Sequence, residues 1–176
     1  MSSWQFTKKW KTLGRWNKIF LSLTGIWTLL ILTSPLILSN GETGDLNGSV
    51  GIYDNKEVIQ EMNPLSRLVY YLGDLNCHQL SHRSYEYNDN QMPFCARDVG
   101  IFAGLTFGFI FGLGRRIELT LPMIILALTP IGLDGTIQLF TDYESTNIRR
   151  VITGLTAGIV TGISLKIIAD SLDKKY

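Results

Sequence analysis

The chain of 176 residues has only two cysteines and two histidines, and only 18% of its residues are charged, against roughly 25% in soluble domains. Its net charge is +1, so no excess of either sign points to nucleic acid or to an acidic partner. Long stretches carry no charge at all, and the mean hydropathy of +0.15 averages apolar blocks with a polar middle. This distribution excludes a disordered chain and a collagen-like one, and argues against an ordinary soluble domain. It points to a small all-α integral membrane protein.

Ile19–Leu38 is a run of twenty residues without a charge, enough to cross roughly 30 Å of hydrocarbon. It is too long for the apolar core of a signal peptide, and no small-x-small cleavage site follows it cleanly, so it reads as an uncleaved first helix. Residues 1–18 carry Lys8, Lys9, Lys11, Arg15 and Lys18, which places that end in the cytoplasm. Further apolar segments at 99–114, 119–140 and 151–169 complete an expected set of four transmembrane helices. Both termini then lie inside, 170–176 forms a cytoplasmic tail, and 39–98 and 141–150 face outward. Ten of the sixteen basic residues fall on the inner side of this multi-pass arrangement, as the positive-inside rule requires. The helices have almost no polar residues at mid-depth and no inverted repeat is visible, which argues against a transporter.

Two glycine stripes suggest how the helices meet. Gly100, Gly104, Gly108 and Gly112 recur along the second helix, and Gly154, Gly158 and Gly162 along the fourth. Small residues every four positions let backbones approach closely in lipid. Close packing of these two helices would make neighbours of Arg97-Asp98 and Arg149-Arg150. Between helices one and two, Asn40–Lys56 reads as a mobile polar loop. Asn63-Pro64 then starts a short amphipathic helix, with Leu65, Leu68, Val69 and Leu72 at helical spacing, expected to lie on the membrane surface.

Cys77, His78, His82 and Cys95 all fall within nineteen residues. Two readings are open: a Cys77–Cys95 disulfide closing the loop, or a metal site of Cys77, His78, Cys95 and Asp98, for which zinc is the natural occupant of thiolate and imidazole ligands. Asp134 and Gln138 share one face of the third helix. An intramembrane carboxylate is costly and normally turned toward a partner, so Asp134 is either an arginine's ion-pair partner or, with His82, a candidate catalytic group. Arg97, Arg149 and Arg150, beside two outward-pointing helix N-termini, form a candidate site for an anion or a lipid head group.

Several of these motifs occur together in a known family. Cys77-His78-Gln79 with His82-Arg83-Ser84, Gln91-Met92-Pro93-Phe94-Cys95-Ala96-Arg97-Asp98-Val99-Gly100, Asp134-Gly135 with Gln138, and Ser145-Thr146-Asn147 with Arg149-Arg150 and Thr153-Gly154 resemble a family of small predicted membrane proteins of archaea and bacteria, domain of unknown function 2085. The resemblance runs from about Pro64 to Leu165. In that family's pattern many members carry a further cysteine where this chain has Asp98. This implies a metal ligand at that position, since both side chains bind zinc as anions, and it favours the metal over the disulfide. Gln79, Gln138 and Asn147 are then supporting polar residues.

Two functions are expected from these residues. The first is a zinc-dependent membrane hydrolase or transferase, with the arginines holding an anionic group. The second is a non-enzymatic accessory subunit locked by a Cys77–Cys95 disulfide. The expected partners are membrane lipid and, on the second reading, other membrane proteins, with no nucleic acid.

Overall fold

The computed structural model describes residues 13–175. The basic residues Lys8, Lys9 and Lys11 lie outside the described residues, as does Tyr176. Helix α1 spans Arg15–Thr33 and tightens into a 3₁₀ turn over Ser34–Ile37, because Pro35 has no N–H with which to continue an α ladder. Two short helices follow, α2 at Lys56–Glu61 and α3 at Pro64–Asn76. Asn63 caps α3: its Oδ1 accepts from the N–H of Leu65 at 3.2 Å and of Ser66 at 3.1 Å, and Pro64 supplies a preset first turn. A two-residue hairpin pairs β1, Glu86–Tyr87, with β2, Asn90–Gln91. Three long helices complete the chain: α4 at Ala96–Gly112, α5 at Leu121–Phe140 and α6 at Asn147–Lys175.

Three described segments, Arg15–Ile37, Leu121–Phe140 and Asn147–Lys175, are long and apolar enough to cross a membrane. The expectation was four. The segment expected at 99–114 is α4, whose 17 residues cover only about 26 Å at 1.5 Å per residue. Helix α6 is longer than its expected 151–169 span, and its 29 residues reach about 44 Å. In α5, Leu139 and Phe140 are 77% and 79% exposed, while the one buried residue is Asp134. A helix that is apolar on its outside and polar where it is buried inverts the soluble pattern and suits hydrocarbon.

Helices α4 and α6 run parallel, and their glycines form the contact between them. A Cβ on Gly104 would lie 2.4 Å from the carbonyl oxygen of Leu155, and one on Gly158 would lie 2.2 Å from that of Ile101. Each backbone therefore occupies the space a side chain would need on the other, in register along the stripe. Because α4 and α6 are parallel, α5 must run back between their opposite ends. Helix α1 is antiparallel to both. Its Thr28 Oγ1 donates to the carbonyl of Phe102 at 3.0 Å, and its first turn is held by the last turn of α6. There Asp173 accepts from the backbone N–H of Trp16 at 2.8 Å and of Asn17 at 3.2 Å. A carboxylate at a helix N-terminus satisfies otherwise unpaired donors.

The segment from Leu38 to Phe94 folds into a compact head over the start of α4. Asn40–Lys56, expected as a mobile loop, is instead pinned by buried amide side chains. Asn90 Oδ1 accepts from the Thr43 N–H at 3.0 Å, and Gln91 Oε1 from the Leu46 N–H at 3.0 Å. Asn90 also donates to the carbonyls of Pro35 and Ser39. Asn88 and Asp89, with φ of 57° and 53°, make the left-handed two-residue turn a tight hairpin needs. Beneath it, Leu38, Leu46, Ile59, Met62 and Tyr70 form a small core. On α3, Val69 is buried while Leu65, Leu68 and Leu72 remain exposed.

The packing of α4 on α6 predicts that Gly158→Val destabilises the protein by about 1–3 kcal/mol or more, as overpacking does. Gly25→Ala, where a Cβ meets nothing within 4 Å, should be neutral or slightly stabilising. Thermal melts of both variants in detergent, followed by circular dichroism, check the difference.

Candidate functional site

Cys77 ends α3 and Cys95 precedes α4 as its cap residue. The two meet because α3 comes hard against the 93–95 segment: a Cβ on Gly73 would lie 2.0 Å from the carbonyl oxygen of Pro93. Gln79 fixes the chain between them. It is fully buried, adopts a left-handed φ of 46°, and donates from Nε2 to the Pro93 carbonyl at 2.8 Å. Phe94 packs edge-on against Trp27 and Phe102, with ring centroids 6.0 and 5.4 Å away, which anchors the cysteine segment to α1 and α4.

The sulfurs of Cys77 and Cys95 and a carboxylate oxygen of Asp98 lie within 4.8 Å of one another. Cys77 Sγ accepts from the Cys95 N–H at 3.3 Å, and Cys95 Sγ donates to Asp98 Oδ2 at 3.3 Å. Both cysteines are free thiols with sulfurs 3.7 Å apart, well beyond the roughly 2.05 Å of a bonded pair. The disulfide expected as the alternative is therefore not formed. The hydrogen bond shared with Cys95, and then burial, push the Cys77 thiol far above the ordinary range, while the same bond from Cys77 holds Cys95 below it. The start of α4, with its unpaired N–H groups, also favours a thiolate at Cys95.

The cluster opens onto a cavity of about 190 Å³ whose wall includes His78, Arg83, Arg97 and Arg150. His78 lines this cavity but is not part of the three-residue cluster; its ring is exposed, with Nδ1 3.4 Å from the Gly48 carbonyl oxygen. Arg97 forms an ion pair with Asp134, and Asp134 also accepts from the Tyr143 hydroxyl at 3.4 Å. Asp134 thus reaches the cavity through Arg97. Arg149 is exposed and turned to Tyr143, donating to its hydroxyl at 3.1 Å. Arg150 is 2% exposed and donates to Asn147 Oδ1 at 3.2 Å. Asn147 in turn donates to the Ser84 carbonyl at 3.1 Å, tying α6 to the head.

His82 lies away from the cysteines. Its Nε2 is 3.0 Å from Glu144 Oε1, which also accepts from Arg83 Nε at 3.0 Å and faces Arg150 at 3.4 Å. The hydrogen bond from Arg83 holds the Glu144 carboxyl below the usual range, so this cage is intact at neutral pH and comes apart as acidification protonates Glu144. Gln138, with its amide oxygen toward the cage, accepts from Arg83 at 2.9 Å and from Arg150 at 3.0 Å. Sequence reasoning missed Glu144, Tyr143 and the part played by Arg83. The available signal was a group of four arginines, Arg83, Arg97, Arg149 and Arg150, around the ends of apolar segments, which called for a carboxylate nearby.

The model of a family described as "Predicted membrane protein (DUF2085)" matches residues 77–164. That span is half of the chain, and it holds every charged residue of the cluster, cavity and cage. An uncharacterized protein of Methanocaldococcus jannaschii is 35% identical over 118 residues, covering 64% of this chain and 76% of the relative. Another uncharacterized protein, from Methanothermobacter thermautotrophicus, is 32% identical over 95 residues, covering 52% of this chain and 86% of the relative. No solved structure matches.

The thiol pair makes a prediction about pH. A lowered Cys95 exposes its thiolate at a lower pH than an ordinary cysteine, while a raised Cys77 stays protonated, and only the thiolate alkylates. In metal-free protein iodoacetamide should label Cys95 first as pH rises, with Cys77 lagging, as read by peptide mass spectrometry. Labelling in the reverse order, or only after reduction, would contradict the arrangement.

Proposed function

Because the chain belongs to this family of predicted membrane proteins, we propose that it is a four-pass protein of the cell membrane, with a zinc centre at its extracytoplasmic face that serves hydrolysis or group transfer on an anionic membrane substrate. Helix α4 is the fourth crossing on this reading. It lies along α6 at the depth of a segment that is long enough to span, and Arg115-Arg116 close its far end, where long basic side chains reach the interface. The clasp of Trp16 and Asn17 by Asp173 supports two termini on one side, and the excess of basic residues there supports the cytoplasm. The exposed leucines of α3 suit a helix resting on the membrane surface.

The observation that carries the metal is the spacing of donors. Two thiolates on a tetrahedral zinc with bonds of about 2.3 Å sit about 3.8 Å apart, and the sulfurs here are 3.7 Å apart. Asp98 Oδ2, at 3.3 Å from Cys95 Sγ, adds a third anionic donor of the right kind. Three protein ligands leave a fourth position open, the pattern of catalytic rather than structural zinc; His78 as a fourth ligand would make the centre structural. Bound zinc supplies Lewis acidity and makes water acidic enough to ionise near neutral pH. The protein's own residues then divide the work. Cys77, Cys95 and Asp98 hold the ion, Arg97 and Arg150 attract the anionic group, and Asp134 fixes Arg97 in place.

Elemental analysis of protein purified in detergent without chelator or reductant tests this. The expected result is about one zinc per chain, with most of it lost in Cys95→Ser. Absence of any stoichiometric metal from a folded preparation would overturn the proposal.

A further inference from the structure

We infer that Glu144 is a built-in substitute for an anion, occupying the arginine pocket until a phosphoryl group displaces it. The inference rests on the proposed anion-binding role of the arginines and not on the metal. Three cationic or ring N–H donors, from His82, Arg83 and Arg150, converge on a single oxygen of Glu144 at 3.0, 3.0 and 3.4 Å. Convergence of guanidinium and imidazole donors on one oxygen is how proteins hold a phosphoryl group. The cavity beside the cysteine cluster shares Arg83 and Arg150 with this cage, so an anion seated there would face the candidate metal ligands.

The burial of the partners is uneven, and that separates this cage from an ordinary structural ion pair. Arg97 is matched by Asp134, whose side chain is 8% exposed. Arg150, itself 2% exposed, has as its only ion-pair partner among the described residues the side chain of Glu144, which is 52% exposed. A buried guanidinium needs a close counter-charge, yet this one comes from a solvated side chain on the six-residue connector 141–146. Such a carboxylate can leave without unfolding the protein, and water replaces the hydrogen bonds it gives up. What it leaves behind is a pocket with excess positive charge and the three donors that Glu144 had engaged. Arg97 also lines this cavity, and its buried Nε has no acceptor. A phosphoryl group brings three acceptor oxygens to these donors, where Glu144 engages all of them with Oε1 alone.

Calorimetric titration of chelator-treated protein with orthophosphate tests the inference. Glu144→Gln keeps the side chain's size and removes the competing charge, so it should bind phosphate at least about tenfold more tightly than wild type. Glu144→Ala should show the same gain, and adding Arg83→Gln to either should abolish it. Repeating the titration in nanodiscs containing phosphatidic acid identifies the source of the anion. If the lipid competes phosphate away, the site takes a phosphomonoester head group; if it does not, the site takes soluble phosphate. Either result upholds the displaced carboxylate. Equal or weaker phosphate binding by both Glu144 variants, with unchanged melting, overturns it. That outcome would leave zinc content untouched, and loss of zinc would leave the phosphate result untouched.

Discussion

The structure depends on one contact, the backbone-to-backbone approach of α4 and α6. Small residues every four positions let two helix backbones approach closely enough for packing alone to hold them. Here the packing is so close that Cβ atoms on the α4 stripe at Gly100, Gly104 and Gly108 would sit 2.1–2.4 Å from carbonyl oxygens of α6. The contact is also parallel, which has topological consequences. It forces α5 to return along the bundle and puts the N-termini of α4 and α6 at one end. It also lays Arg97 beside the first turns of α6, where Arg150 sits. The pocket between head and helices exists because these two backbones share a register.

The head solves a different problem. A small segment with few apolar residues cannot hold its loops by hydrophobic burial alone. It uses buried amide side chains as spacers, each satisfying polar groups from segments of chain far apart in sequence. Asn90 joins Pro35, Ser39 and Thr43, and Gln79 joins Pro93 to Asn55. Removing such a side chain would strand several buried donors and acceptors, each at a cost of about 1–3 kcal/mol. This rigidity bears directly on the thiol pair, because Gln79 and Pro93 lie two residues from Cys77 and Cys95. The Trp27, Phe94 and Phe102 rings then pass the position of that pair down to the helices.

Charge at this end is arranged by burial. Asp134 and Arg97 neutralise one another between α5 and α4, which allows a carboxylate inside an apolar helix. Glu144, Arg83 and His82 sit further out, where solvent screens them and their arrangement can change at low cost. The same chemical pairing, arginine with carboxylate, therefore serves cohesion at one depth and exchange at another.

Much of this was legible in the chain. Apolar length marks the three segments long enough to cross a membrane, glycine spacing marks the faces that touch, and the proximity of Cys77, Cys95 and Asp98 in sequence marks a candidate cluster. The polar composition of Asn40–Lys56 gives no sign of the groups that hold Thr43 and Leu46, because Asn90 and Gln91 lie some forty-five residues away. His78 follows Cys77 directly, yet the left-handed turn at Gln79 leaves its ring outside the cluster. Glu144 gave no sign of its role, since a carboxylate in a polar connector is ordinary. By itself the sequence determined what depends on composition and local period: where apolar runs fall, which helix faces are small, and where turns occur. The tertiary structure decided which polar groups meet, because those contacts are set by the register of helices whose residues are separated by tens of positions in the chain.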